Sequence, residues 1–134
     1  MPMETAILLV EDNADDQEIY RIILAHHGYA VLQAWDGRRG VSMARDHGPD
    51  LILMDLAMPG MDGLEATRRL KADPSTAAIP VVALTACTRR EDIAEAEAAG
   101  CDAYLTKPVE PARVAAEVRR ILAGGGARPA AAAG

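Results

Sequence analysis

Five short apolar runs punctuate residues 5–123: Ala6-Ile7-Leu8-Leu9-Val10, Tyr29-Ala30-Val31-Leu32, Leu51-Ile52-Leu53-Met54, Val81-Val82-Ala83-Leu84 and Ala103-Tyr104-Leu105. Most are continuously apolar rather than alternating, the pattern of parallel strands covered on both faces. Amphipathic stretches near 14–27, 37–47, 63–72, 88–99 and 110–123 separate or follow them and predict helices. Their ends carry suitable punctuation. Asp36-Gly37 and Asp62-Gly63 stand at starts, and Gly28, Gly48 and Gly100 stand just past ends. Five β-then-α units predict an α/β doubly wound sheet with five strands and five helices. This alternation belongs to the architecture, and no solenoid repeat accompanies it.

Composition sharpens the picture. A chain of 134 residues fits one domain with a real core. Half the residues are hydrophobic while Phe is absent and aromatics make up 3%, so the core must be aliphatic. The predicted domain spans 5–123. The Gly- and Ala-rich stretch 124–134 reads as a flexible tail, similar to a linker with nothing attached. No apolar run reaches membrane-spanning length and the N-terminus lacks a basic start, so a soluble cytoplasmic protein without membrane insertion is expected.

The formal net charge of -6 argues against nucleic acid as a direct partner, because phosphate binding needs a concentrated basic face. The arginine pairs at 38–39, 68–69, 89–90 and 119–120 fall on separate predicted helices and read as solvated surface. Cys87 and Cys101 lack metal spacing and read as small core residues rather than a disulfide.

Candidate chemistry emerges from fold logic. In an open parallel sheet, ligands bind outside the carboxyl ends of the strands, so the residues just after each run are the ones to inspect. The first strand ends in Glu11-Asp12, the third in Asp55, the fourth in Thr85 and the fifth in Thr106-Lys107-Pro108. The second contributes only Ala34-Trp35, which suits a strand outside the site. Three carboxylates meeting at one edge repel one another unless a cation is present. Mg2+ fits best, since it binds one or two carboxylates while keeping waters and sharing a phosphate oxygen. Lys107 adds positive charge and Thr85 can donate to a bound oxyanion. A carboxylate nucleophile beside a metal is the arrangement that forms an aspartyl-phosphate.

With Glu11-Asp12, the stretch DLAMPGMDG from Asp55 to Gly63, Thr85-Ala86 and the TKP of Thr106 to Pro108 in order, the chain resembles the receiver domain of two-component response regulators. From the GCDAYLTKP segment it is similar to the free-standing receivers of cell-cycle and chemotaxis pathways. The resemblance implies a flavodoxin-like sheet in the order 2-1-3-4-5. It assigns Asp55 as phosphoacceptor, with Asp12 and Asp55 as direct Mg2+ ligands, Glu11 acting mostly through water, and the backbone carbonyl of Ala57 completing the set. It gives Thr85 and Lys107 the phosphoryl oxygens, makes Thr85 and Tyr104 the switch, and places a cis peptide before Pro108. The implied partners are a histidine kinase or histidine phosphotransfer protein as donor. A downstream protein would read the face made by the fourth helix, fifth strand and fifth helix, remodelled as Thr85 moves and Tyr104 turns inward. No turnover substrate is implied. With Ala57 and Cys87 flanking the path of the attacking water, self-dephosphorylation is expected to be slow.

Other readings compete. A haloacid-dehalogenase-type phosphatase needs a second Asp two positions after its nucleophile, where this chain has Ala57. A flavodoxin-like cofactor binder needs a hydroxyl- and glycine-rich loop where this chain has Glu11-Asp12. A degenerate receiver that binds partners without phosphorylation is opposed by the complete acidic set with Thr85 and Lys107. Taken singly, Glu11-Asp12 could merely open a helix and Asp55 or Asp62 could be turn residues. His26, His27 and His47 read as surface residues at helix ends, and Met54, Met58 and Met61 as core and loop filling. Trp35 reads equally as partial core or as a partner contact.

Overall fold

The computed structural model describes residues 4–58, 61–86 and 89–124. Cys87, the Pro59-Gly60 turn, the first residue of the predicted fourth helix (Thr88) and the predicted tail from 125 onward lie outside these. Five strands and five helices alternate: β1 (Ala6–Val10), α1 (Ala14–His26), β2 (Ala30–Ala34), α2 (Gly37–His47), β3 (Leu51–Asp55), α3 (Gly63–Ala72), β4 (Val81–Thr85), α4 (Arg90–Ala99), β5 (Ala103–Thr106) and α5 (Pro111–Leu122). All pairings are parallel and the order is β2-β1-β3-β4-β5, as expected. The second strand runs to Ala34 rather than stopping at Leu32. Gln33 interrupts the apolar run but continues the ladder opposite Leu9.

The continuous apolar runs are explained by two cores, one on each face of the sheet. Ile7, Leu9, Leu51, Leu53, Val82 and Leu84 pack with Tyr20 and Leu24 of α1 and with Val114, Val118 and Ile121 of α5. The alternate residues Leu8, Val10, Ile52, Met54 and Val81 pack with Val41 and Ala44 of α2 and Ala66 and Leu70 of α3. Successive strand residues point to opposite faces, so a strand covered on both sides must be apolar throughout. Met58 joins the second core and Met61 packs at its margin. Burying each large aliphatic side chain contributes about 1.5–3 kcal/mol.

Local chemistry fixes the helix starts. Asn13, Asp36 and Asp62 each accept a hydrogen bond from the amide three residues on, at 2.9, 2.7 and 2.8 Å. Gly63 opens α3 hard against the end of β3. A Cβ there would run into the Asp55 carbonyl oxygen and Leu56 Cα, so only glycine lets α3 start this close to Asp55. Helix α4 has no side-chain cap, and its buried residues are Ala96 and Ala99. It is the helix with the smallest inward-facing side chains.

A polar latch closes the opposite end of the sheet. Lys71 donates to the carbonyls of Ala77 and Ile79 and to Asp102, whose carboxylate also accepts from the Val81 amide at 2.8 Å. Cys101 sits beside this latch, half-buried and reduced. Burial pushes its thiol up to about 11; a hydrogen bond with Thr67 pulls the other way, Asp102 adds to the rise and Lys71 opposes it. At pH 8 only about one thiol in a thousand is then ionised, and the thiolate is the reactive form. In a Cys87→Ser protein, iodoacetamide should label Cys101 at least about a hundredfold more slowly than in urea, with the rate climbing steadily to pH 10. A plateau by pH 9 would contradict this placement of the thiol.

Candidate functional site

The carboxyl ends of β1, β3, β4 and β5 bring together the residues picked out along the chain. Asp55 is the last residue of β3, the central strand, and is 4% exposed. One of its oxygens accepts from the Ala57 amide at 3.1 Å. The other lies 3.7 Å from Lys107 Nζ. Glu11, just past β1, is fully buried. Its carboxylate accepts from the Asn13 amide at 3.1 Å and from Lys107 Nζ at 2.8 Å. Asp12 is exposed at the rim. Glu11, Asp12 and Asp55 each bring one carboxylate oxygen within 4.8 Å of the others.

Thr85 ends β4 and is 8% exposed, and its carbonyl accepts from the Lys107 amide at 2.8 Å. The lysine is thereby held in line with the end of β4, and the Lys107-Pro108 peptide is cis. Ala57 is exposed beside the pocket. Tyr104 on β5 is buried, at 7% exposure.

The electrostatics are those of crowded acids around one ammonium. Burial raises the Glu11 carboxyl, to about 7, against the hydrogen bonds from Lys107 and Asn13, and the neighbouring Asp55 raises it further. Burial alone would lower the Lys107 ammonium. Its hydrogen bonds to Glu11 and Asp16 and the charge of Asp55 outweigh that and hold it above its usual range. Lys107 is thus a fixed cation, while full ionisation of Glu11 depends on the positive charge facing it. A single ammonium does not balance this many carboxylates. The deficit and the all-oxygen donor set suit a hard divalent cation such as Mg2+, and no thiol or imidazole is among the donors.

Two participants were not anticipated. Asp16, in the first turn of α1, accepts from Lys107 Nζ at 3.0 Å. Gln17 is 1% exposed and donates to the Glu11 carbonyl at 2.9 Å and the Ala34 carbonyl at 2.8 Å, tying the ends of β1 and β2 together. Gln33 in turn donates to the Gln17 side chain at 2.8 Å. The spacing that puts Tyr20 and Leu24 inward also puts Gln17 inward, a signal present in the sequence. Asp16 sits in a helical first turn, where acids are common, and nothing in its sequence neighbourhood marks it.

Residues read as surface are at the surface. His26, His27 and His47 are exposed, as are Arg38, Arg39, Arg68, Arg69, Arg89, Arg90 and Arg119. Arg120 differs: it is half-buried and reaches Glu117 at 2.6 Å, a buried acid on its own helix. Trp35 is 48% exposed, which favours the contact reading over the core one.

A 2-1-3-4-5 parallel sheet whose carboxyl edge holds an acidic pocket closed by a lysine from the last strand defines the CheY-like class of α/β proteins. The chain belongs to the response regulator receiver domain family, whose model matches residues 7–119. It is therefore a signalling module of two-component systems. It is 39% identical over 118 residues to protein PilH of Pseudomonas aeruginosa, covering 88% of this chain and 98% of that one. It is 35% identical over 120 residues to the polar-differentiation response regulator DivK of Brucella anthropi, covering 90% and 98%. Among solved structures, chemotaxis protein CheY4 of Vibrio cholerae superposes with a TM-score of 0.84 at 28% identity, covering 89% of this chain and 99% of that one. The receiver domain of a histidine kinase from Syntrophus aciditrophicus gives 0.83 at 36% identity, covering 90% and 91%. Receivers of this family hold Mg2+ at an acidic cluster, and the Glu11, Asp12 and Asp55 group is compatible with that. Among the described residues no helix is long and apolar enough to cross a membrane.

Proposed function

We propose that the protein accepts a phosphoryl group on Asp55 from a phosphohistidine donor and signals through the change in shape that follows. The observation that carries this reading is the placement of Asp55 at the end of the central strand. It is buried, pinned by the Ala57 amide, in reach of two further carboxylates and 3.7 Å from the Lys107 ammonium. Mg2+, held by Asp12, Asp55 and the Ala57 carbonyl, with Glu11 acting through water, would neutralise charge on the transferring group.

The remaining work falls to the chain itself. An Asp55 carboxylate oxygen forms a bond to phosphorus as the bond from phosphorus to the donor imidazole nitrogen breaks. The electron pair stays on that nitrogen. Thr85 and Lys107 receive the equatorial phosphoryl oxygens by hydrogen bond and charge, which is most of what a loose transition state requires. With acetyl phosphate and Mg2+, the intact protein should gain one phosphoryl group by mass and Asp55→Asn none. Asp12→Asn should raise the Mg2+ needed for half-maximal labelling by about tenfold or more. Labelling of Asp55→Asn at the wild-type rate, or wild-type labelling that ignores chelation of Mg2+, would count against it. A wild type that never labels would favour a receiver that binds partners without phosphorylation.

The donor, a histidine kinase or histidine phosphotransfer protein, has a surface to meet. Ile19 and Ile22 of α1 are 44% and 52% exposed. Ile19 borders a groove of about 390 Å³ between α1 and the start of α5, lined also by Tyr20, Pro108, Val109 and Pro111 and reaching Asp16 and Lys107. An apolar surface leading to the acceptor suits docking of a helical donor. Ile22→Asp should slow transfer from a phosphohistidine protein about tenfold while leaving acetyl phosphate labelling unchanged. Equal slowing with both donors would place the fault in the pocket instead.

On the output side, a downstream protein would read the face of α4, β5 and α5. The change expected on phosphorylation is carried by Thr85, by Tyr104 and by α4, whose buried residues are Ala96 and Ala99. Beryllofluoride with Mg2+ should shift amide resonances of residues 89–100 in NMR spectra. A pocket that saturates while these remain silent would disprove the coupling.

A further inference from the structure

We propose that Asp16 is a positioning residue for Lys107, holding its ammonium on the α1 side of the pocket and away from Asp55 until a phosphoryl group competes for it. The inference rests on the reading of Asp55 as phosphoacceptor and adds to it a residue that tunes the equilibrium.

Three carboxylates face the Lys107 ammonium at different distances. Glu11 and Asp16 are hydrogen-bonded, at 2.8 and 3.0 Å, while Asp55 stands at 3.7 Å, in charge contact but beyond hydrogen-bond length. Among the described residues Asp16 is not part of the group of Glu11, Asp12 and Asp55, whose carboxylate oxygens lie within 4.8 Å of one another, and its own carboxylate accepts from Lys107. Its backbone is anchored, since its amide donates to the Asn13 cap at 2.9 Å, in the first turn of a helix whose next residue, Gln17, is locked to β1 and β2. The side chain keeps 32% exposure and borders the open groove beside α1, so its hold on the lysine is partly screened.

The consequence is a competition. A lysine that satisfies Glu11 and Asp16 is already well solvated by carboxylates. Two of its three N–H donors are taken by Glu11 and Asp16. Drawing the ammonium from 3.7 Å toward phosphoryl oxygens on Asp55 lengthens the contact with Asp16, the more exposed of the two partners. Whatever free energy the Asp16 contact contributes to the unphosphorylated form is withheld from the phosphorylated one. Removing the charge should therefore favour the phosphorylated state rather than weaken it. This is opposite to the effect expected of a residue that merely supports the pocket.

The test is a titration with beryllofluoride and Mg2+, followed by NMR, of wild type, Asp16→Asn, Asp16→Glu, Lys107→Ala and the Asp16→Asn, Lys107→Ala pair. Asp16→Asn should tighten beryllofluoride binding about threefold, the scale of a partly exposed ion pair. Asp16→Glu should return it toward the wild-type value, and the gain should vanish in the Lys107→Ala background. In the free proteins, the Lys107 ammonium resonance should shift in Asp16→Asn and recover in Asp16→Glu, a signature that a loss of general support would not produce. Unchanged or weaker binding by Asp16→Asn, or a gain that persists without Lys107, would overturn the role of Asp16 alone. A wild type that binds no beryllofluoride would overturn the phosphoacceptor reading and this inference with it.

Discussion

A sheet covered on both faces leaves only its two ends for chemistry. The inner strands β1, β3 and β4 give buried residues to a core on each face, and they are apolar along most of their length because neither direction across the sheet leads to water there. Parallel pairing then sends all carboxyl ends to one edge, where the polar residues following the strands must meet. Glu11, Asp55, Thr85 and Lys107 come together because they terminate neighbouring strands of one parallel set. Nothing about the residues as individuals requires it. The pocket is a geometric consequence of how the core is buried.

The cost of that convergence is electrostatic, and the structure shows how it is offset. Glu11 has lost all contact with solvent and Asp55 nearly all, an unfavourable state for two neighbouring acids. Backbone amides take part of the load, from Asn13 to Glu11 and from Ala57 to Asp55. Lys107 takes the rest that the chain can supply. Among the described residues no buried side-chain nitrogen or oxygen lacks a partner, so the acidity of the pocket is tolerated by hydrogen bonding while a shortage of positive charge remains. That shortage is compatible with a metal ion at the group of Glu11, Asp12 and Asp55.

The fold was almost wholly legible in the sequence because its signal is redundant. Five apolar runs, caps at Asp36 and Asp62, and glycines in left-handed conformation at Gly48 and Gly100 all mark the same boundaries. Strand order was not in the periodicity and came from the family resemblance. The residues gathered at the strand ends were legible for the same reason as the strands. What escaped lies on α1. Asp16 follows Asp15 in a helical first turn, where acids are common, and only the distance to Lys107, 91 residues away, gives it a second meaning. Gln17 breaks the apolar rule at a core position, and its reason is visible only once the carbonyls of Glu11 and Ala34 are seen to need a donor. Ile19 and Ile22 could not be sorted by pattern, because helical phase alone does not say where a surface ends.

Asp55 and Lys107, 3.7 Å apart in the pocket, come from unequal mountings. Asp55 ends β3, which is hydrogen-bonded on both sides, by β1 and by β4. Lys107 follows β5, a four-residue strand with β4 as its one neighbour. Local opening of a backbone is easier at an edge than in the middle of a sheet. The pocket is built like a vice with one jaw set in the middle of the sheet and the other at its edge. Asp55 is set by the centre of the molecule, and the backbone that opens more readily sits at its margin, next to α4, whose buried residues are Ala96 and Ala99.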